Sequence, residues 1–593
     1  MRRLCCGLAA LLICVLPLGA AGGEGAVPPP AVAAGFEAIS PEVAAALEAK
    51  AAGRPVEAGS WMVAAANPHA VAAGARVLRE GGSAADAMVA VQAVLGLVEP
   101  QSSGLGGGAF LVWYDAATGG VTTLDGRETA PLAATPRLFQ IDDGDPMGFF
   151  DAVVGGRSVG VPGTPALMRM AHEKWGKSDW QGLFSEAIAL AEGGFAVSPR
   201  LARSIAWDAE QLARHPATAA YFLPGGTPLA AGTVVTNRAY ADVLKEMASD
   251  GVDAFYTGGV AKDIVAAVRG SEAGPGLLTM ADLAIYRVKE RAAVCVAYRL
   301  HEVCGMGPPS SGGLTVGQIL GMLAHYDISD AGAADTWRII GDASRLAFAD
   351  RDRYMADSDF VPMPVAGLID PEYLAGRAAL LRGDTALAGV EPGRPGWDHA
   401  GLRADPVDVS RPSTSHISIV DAEGNALSMT TTIENVFGSR VMARGFLLNN
   451  ELTDFSFRSH RDGVPVANRV EPGKRPRSSM SPTIMLRDGR PELVVGSPGG
   501  SRIIGYVAQA IVAHLDWGKD VQQAVSMPLA VNRYGPYDLE AGTALEDMKA
   551  ALASLGYPVE VRQLNSGLHA ISIGPGGLRG GADPRREGIA LGQ

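Results

Sequence analysis

Nowhere in this chain are lysine and arginine bunched. The 50 basic residues face 63 acidic ones, leaving a formal net charge of −13 and a pI near 5.3. Without a basic stripe the chain has no electrostatic footprint for nucleic acid, which is excluded as a partner. Long apolar runs are also missing beyond the first residues. Those residues, MRRLCCGLAALLICVLPLGAAGG, place an arginine pair before an apolar run that ends near Leu18, then small residues to Ala21. The run is too short for a comfortable membrane span and has the layout of a secretory signal. Cys14 lacks the small-residue box of a lipid anchor. The expectation is a signal peptide over 1–21, no stable membrane span, and a periplasmic or secreted protein.

Cysteine is scarce. Of five, three lie in the expected signal, leaving Cys295 and Cys304 in CVAYRLHEVC. Apolar alternation on both sides of Arg299-Leu300 predicts a hairpin turning there, and counting outward sets the two cysteines opposite each other. In an oxidising compartment a Cys295–Cys304 disulfide is expected. Neither a metal nor a cofactor is expected. Glycine, in contrast, is abundant, with 75 residues and no collagen-like period, which implies many tight turns and close backbone approaches. One glycine-rich loop, SSGLGGG, invites comparison with phosphate-binding loops. No GK[ST] follows it, and it feeds the strand AFLVWYD rather than a helix N-terminus, so nucleotide binding is excluded.

Along the chain, Ala-, Gly- and Pro-rich residues 22–60 read as a mobile leader. From Asn67 the pattern is helical; Ser83 and Asp86 supply a capping box for SAADAMVAVQAVLGLVEP. Residues 160–380 read as mostly helical. Gly383 to Ser413 is a Gly/Pro/Asp-rich connector without periodicity, long enough to suggest function. Beyond it the period changes to two, in HISIVD and ALSMTTTI around the turn AEGN, then in GFLLNN, TIMLRDG, ELVVGS and ISIG. There are no internal repeats. A helix-rich first part and a strand-rich second part predict an α/β layered body.

The connector ends at RPSTSHISIVDAEGNALSMTTTIE, a cluster of Ser and Thr hydroxyls with a single histidine and no lysine. A hydroxyl needs an adjacent base to act as a nucleophile. With the turn near Gly424, Thr414 falls opposite Thr432 to Glu434, and Thr430, Thr432 and Glu434 are predicted to share one strand face. If the chain is cut before Thr414, the new α-amine can serve as base for the same residue's hydroxyl. That is an N-terminal nucleophile, and no separate histidine is required.

From about Asn67 to the C-terminus the chain resembles the γ-glutamyltransferases (glutathione hydrolases) of the N-terminal nucleophile hydrolase group. The resemblance is carried, in order, by EPQSSGLGGGAF, DGRETAP, VGVPGT, GMGPPSSGG, FADRDRY, STSHISIVD, TTTIENVFG, LLNNELTDFS, KRPRSSMSPT, GSPGGSRII and GGADPRREG. It implies the four-layer αββα sandwich of that group, with stacked antiparallel sheets between helix layers. It also implies autoproteolysis between Ser413 and Thr414, giving a large subunit (61–413, ending in the linker 383–413) and a small subunit (414–593) that stay together as a heterodimer.

By the same resemblance, Thr414 attacks a γ-glutamyl carbonyl, and water or an amino acid or peptide acceptor releases the glutamyl group from the enzyme. Thr432 would hold the nucleophile, and Gly499 and Gly500 would form the oxyanion hole. Arg127, Ser478 and Ser479 would take the substrate α-carboxylate, and Glu434, Glu451 and Asp454 its ammonium. Position 434 is Glu as in some bacterial members, where others carry Asn. The implied substrates are glutathione and other γ-glutamyl compounds. The competing activities are a glutaryl (cephalosporin) acylase, a poly-γ-glutamate depolymerase, and an uncut periplasmic protein that binds γ-glutamyl peptides without cleaving them.

Overall fold

The structure, a computed structural model, describes residues 35–142, 144–397 and 413–593. The expected signal peptide and most of the second half of the linker lie outside these residues. Two seven-stranded sheets, antiparallel at every pairing, form the centre. In the first the order is Val56–Ala58, Gly577–Ala582, His569–Gly574, Arg490–Gly496, Thr483–Arg487, His301–Gly305, Val294–Tyr298. In the second it is Ile589–Gly592, Met62–Ala65, Thr414–Val420, Ala426–Thr432, Gly108–Tyr114, Val121–Gly126, Lys289–Ala292.

Period-two alternation sorts each strand between two cores. From the second sheet Ile417, Ile419, Leu427 and Met429 pack under the helices Pro68–Arg79 and Ala84–Val98. Val112, Val420 and Ala426 face the other way, onto Ile484, Val494 and Ile571 of the first sheet. The far side of that sheet, with Val303, Met485 and Leu493, is covered by helices Gly312–Leu323, Ala334–Tyr354 and Ile503–Leu515. The result is the expected αββα sandwich. Among the described residues no helix is long and apolar enough to cross a membrane.

Local signals explain several joints. Ser83 and Asp86 form the expected capping box. Cys295 pairs with Cys304 across the hairpin, Arg299 turns it with φ 54°, and the two sulfurs are bonded. The loop SSGLGGG has a structural use for its glycines: a Cβ on Gly107 would meet the Thr432 carbonyl oxygen at 2.0 Å. The loop must lie flat against the end of the Ala426–Thr432 strand, and only glycine lets it.

Two expectations need correction. Residues 35–60 are not a mobile leader. Ser40 caps a helix Pro41–Ala51, with Pro41 at its start, and Val43 and Ala46 are buried. Lys50 Nζ then donates to the carbonyls of Arg586 and Gly588, both at 2.6 Å, and Val56–Ala58 joins the edge of the first sheet. Alanine-rich composition hid a capped helix with a buried face. The linker's described half, 383–397, is irregular as expected but pinned: Asp350 accepts the Gly393 N–H at 2.6 Å, and Asp342 accepts that of Leu387 at 3.0 Å.

Candidate active site

Thr414 opens the third strand of the second sheet and lies directly opposite Thr432. The register is the expected one, and its cause is the turn at Gly424, which has φ 84°. Thr414, His416 and Ser418 alternate onto the face between the sheets, as do Ser428, Thr430 and Thr432 on the partner strand. The space between the sheets therefore changes from apolar near Val420 to polar near Thr414.

Three hydrogen bonds meet at Thr432 Oγ1. It donates to the Ser413 carbonyl at 2.8 Å, accepts the Glu434 N–H at 2.8 Å, and lies 3.2 Å from Thr414 Oγ1. A hydroxyl has one proton, and Thr432 gives its own to Ser413. Thr414 is then the donor in the remaining contact. The carbonyl of the Ser413–Thr414 peptide is thus polarised by a hydroxyl whose oxygen also holds the neighbouring Thr414 hydroxyl. Ser413 itself is fixed, its N–H on the Glu434 carbonyl and its hydroxyl on Ser102.

The single histidine of the cluster is not a base for Thr414. His416 bonds Thr430 Oγ1 at 2.9 Å and Ser418 Oγ at 3.0 Å. Complete burial, reinforced by His569, holds it far below its ordinary range. Glu434 departs from the expected geometry. The strand ends at Thr432, and Glu434 follows with φ 72°, so it reaches the site through a bend rather than along the strand face.

The charged residues converge on one cleft, lined by Arg127, Thr414, Thr432, Glu434, Glu451, Asp454, Ser478, Ser479 and Gly500 among others. Arg127 is fully buried just past the Val121–Gly126 strand. Its Nη1 donates to Glu451 and its Nη2 to Asp454 Oδ2 at 2.5 Å, while Nε and Nη2 also donate to the carbonyls of Pro476 and Arg477. Burial pushes the guanidinium down, but Glu451, Asp454 and Glu128 outweigh it and hold the cation above its ordinary value.

Acids outnumber that cation. Burial pushes Glu451 up, Arg127 pulls it back and Asp454 pushes again, leaving it at about 7. Glu434 is raised well above the carboxylate range by burial, then by Asp454 and Glu451, and Glu128 by burial and Glu451. Like charges packed in a dry site cannot all ionise. Around Arg127 the acids are in excess, and an incoming ammonium beside them would balance that excess.

Ser478 and Ser479 are held from below. Ser311 donates through both its N–H and its hydroxyl to the Ser478 carbonyl, and Ser310 Oγ donates to Met480 O. This is the structural use of the GMGPPSSGG segment. Gly499 and Gly500 follow the Arg490–Gly496 strand with φ 138° and 58°, and Gly500 lines the cleft. All the residues expected from the sequence are therefore brought to one place, with Gly499 just behind.

The sequence reading did not single out Arg351, Arg477, Met480, Ser501 and Ile503, which also line the cleft. Arg351, from FADRDRY, donates to Ser311 Oγ at 2.9 Å and Ser479 Oγ at 2.8 Å. The segment 455–477, which follows Asp454, is anchored at its base: Asn468 Nδ2 donates to Asp454 O at 2.7 Å, and Arg475 Nη1 binds Asp125 Oδ1 at 2.5 Å.

Comparison with known proteins gives concordant likenesses. A sequence profile described as gamma-glutamyltranspeptidase matches residues 70–593. A glutathione hydrolase proenzyme of Bacillus subtilis (strain 168) is 38% identical over 548 residues, covering 90% of this chain and 91% of that one. Among solved structures, cephalosporin acylase from Bacillus halodurans superposes with a TM-score of 0.80 at 25% identity, covering 91% of this chain and 97% of the other. A Helicobacter pylori gamma-glutamyltranspeptidase gives 0.54 at 35% identity, over 56% of this chain and 96% of its own.

Proposed function

The chain belongs to the gamma-glutamyltranspeptidase family, and on that premise we propose that it cuts itself before Thr414 and uses this threonine to cleave γ-glutamyl amides such as glutathione. The observation that carries the proposal is the contact of Thr414 Oγ1 with Thr432 Oγ1, at 3.2 Å, in the same cleft as Arg127, Glu451 and Asp454. In the uncut chain, Thr432 polarises the Ser413 carbonyl, which favours attack on it by the Thr414 hydroxyl. That attack breaks the C–N bond and leaves Ser413 as an ester on Thr414 Oγ1. Water hydrolyses the ester to a Ser413 carboxylate, and the freed α-amine then takes the restored hydroxyl's proton during attack on substrate.

The substrate's α-carboxylate pairs with the planar fork of Arg127, aided by the Ser478 and Ser479 hydroxyls. Its ammonium lies among Asp454, Glu451 and Glu434. The backbone N–H groups of Gly499 and Gly500 receive the developing oxyanion, and glycine lets them approach it closely. Departure of the amine leaves a γ-glutamyl ester on Thr414, which water or an acceptor amine resolves. The two fragments remain associated, and export to the periplasm or medium fits the N-terminal segment.

The likeness to a cephalosporin acylase favours a second reading, a glutaryl amide substrate. A glutaryl group has no ammonium, and it would leave the excess of acids beside Arg127 unbalanced. The γ-glutamyl reading is therefore preferred. Its test is a denaturing gel of the purified protein, N-terminal sequencing of the smaller band, and turnover of matched γ-glutamyl and glutaryl anilides. A small band beginning at Thr414 with preference for the γ-glutamyl anilide is expected, and Thr414→Ala should stay whole and inert. A fully active uncut chain would overturn the mechanism, and a preference for the glutaryl anilide would overturn the substrate.

A further inference from the structure

Two adjacent arginines close to the C-terminus have opposite surroundings. Arg585 is an ordinary ion-paired residue, bound to Glu540 and to Asp583. Arg586 lies deeper, only 3% exposed, yet among the described residues no carboxylate is within ion-pair distance of it. Its three donors all go to backbone carbonyls: Nε to Ser566 at 2.7 Å, Nη2 to Asn565 at 3.2 Å, and Nη1 to Thr414 at 2.8 Å. A buried cation without a counter-ion is expensive to keep, and only these carbonyl hydrogen bonds offset the cost. Such a charge is worth keeping where it acts on chemistry.

We propose that Arg586 is a positioning residue for the nucleophile, one that clamps Thr414 by its carbonyl and whose uncompensated charge keeps the freed Thr414 α-amine neutral and able to accept a proton. This rests on the reading of Thr414 as the nucleophile. The amine is joined to the clamped carbonyl through a single Cα, so the guanidinium charge lies beside it. A free α-amine titrates at about 7.7–8.0 and is mostly a useless ammonium at neutral pH. A cation within about 4–6 Å disfavours that ammonium and moves the titration down by one unit or more.

The other charged groups around Arg586 do not cancel this effect. Glu99 accepts from Ser415 Oγ but is paired with Arg200 at 3.0 Å. Asp583 is paired with Arg585 at 2.9 Å, and Glu587 accepts the Arg200 N–H at 2.8 Å. Lys50, donating to the Arg586 carbonyl, adds positive charge, and Tyr506 stays neutral because burial pushes its phenol up. Burial pushes Arg586 itself down, with Arg200 adding to the effect, but only to about 9, so it remains a cation at neutral pH.

The test uses full-length Arg586→Met and Arg586→Lys. Each is checked on a gel for self-cutting, melted, and assayed for kcat with γ-glutamyl-p-nitroanilide across the acid limb of the pH profile. In cut Arg586→Met the limb is expected to move up by about one pH unit. Arg586→Lys should restore the limb. An active, cut Arg586→Met with an unmoved limb overturns the proposal. So does a Met variant that keeps its melting temperature but never cuts, because the charge would then matter only at the peptide bond. If the Met variant does not fold, Arg586→Lys decides: a limb shifted by a full unit despite the retained charge refutes the electrostatic role, and a wild-type limb supports it. Thr414→Ala in the same assay keeps the two levels apart, since activity there would sink the nucleophile reading itself.

Discussion

Arg127 Nη2 and Asp454 Oδ2 lie 2.5 Å apart, so the two residues proposed to take opposite charges of one substrate hold each other. Binding exchanges this pair for two others, Arg127 with the α-carboxylate and Asp454 with the ammonium. Asp454→Ala leaves Arg127 its bond to Glu451, so the chain should fold and cut itself. Truncating one partner of a desolvated charge pair costs about 2–5 kcal/mol. We expect kcat/KM for γ-glutamyl-p-nitroanilide to fall by roughly 30-fold or more and to fall much less for the glutaryl anilide. Equal losses on both would make Asp454 a structural residue.

The excess of acids beside Arg127 predicts a pH dependence of binding. Glu451, at about 7, is protonated in mildly acidic solution and ionised above it. The substrate ammonium prefers the ionised form. KM for γ-glutamyl substrates should therefore fall as pH rises through 7, by at most about tenfold per pH unit for each proton released. A KM that is flat across this range, or that falls equally for a glutaryl substrate, would contradict the role given to these acids.

The same carboxyl affects stability. Its folded value exceeds the usual carboxylate value of about 4.3, so protonation favours the folded state. That contribution is full below the unfolded value and is lost as pH rises through about 7. Glutamate added as a ligand should then raise the melting temperature more on the alkaline side of 7 than on the acid side. The opposite order in a thermal shift series would count against it.

Thr432→Val removes the donor that Thr432 places on the Ser413 carbonyl while keeping the shape of the side chain. Loss of a single oriented donor at a developing oxyanion typically slows reaction by about 10²–10³-fold. Self-cutting should slow by that order, followed on a gel after dilution from cold-purified precursor. Wild-type cutting would show that the contact is incidental.

The Cys295–Cys304 bond closes a loop of sequence separation 9 at the edge of the first sheet. A closure this short stabilises by about 2–3 kcal/mol. Replacing both cysteines with serine should lower the melting temperature with little change in kcat, because the pair is not among the residues lining the cleft. Two free thiols by mass spectrometry without reductant would refute the bond.

What the sequence disclosed follows from range. Thr414 opposite Thr432, and Cys295 opposite Cys304, could be counted because a tight turn and a period of two fix a hairpin's register locally. The Pro41–Ala51 helix was missed although Ser40 and Pro41 announce it, because its apolar face is mostly alanine and its order depends on Lys50 meeting residues at the opposite end of the chain. Arg351 and Arg586 were invisible for a related reason. Each acts through contacts more than a hundred residues away, 128 to Ser479 and 172 to Thr414. Only the layered packing brings those partners together. Glu434 was assigned to the right cleft by the wrong path, since nothing in TTTIE announces that the strand stops before it.

In the second sheet, strands from before and after Ser413 alternate: Met62–Ala65 lies between Ile589–Gly592 and Thr414–Val420, and Gly108–Tyr114 borders Ala426–Thr432. On the proposed processing, one broken peptide bond turns this woven sheet into two chains that share both central sheets. Neither piece owns a complete core, so neither can fold or refold alone. The precursor is thus the only form that carries its own folding instructions, and the mature enzyme persists by the slowness of its unfolding. Heat or denaturant should therefore act on it once and without return, whereas the uncut Thr414→Ala chain should recover.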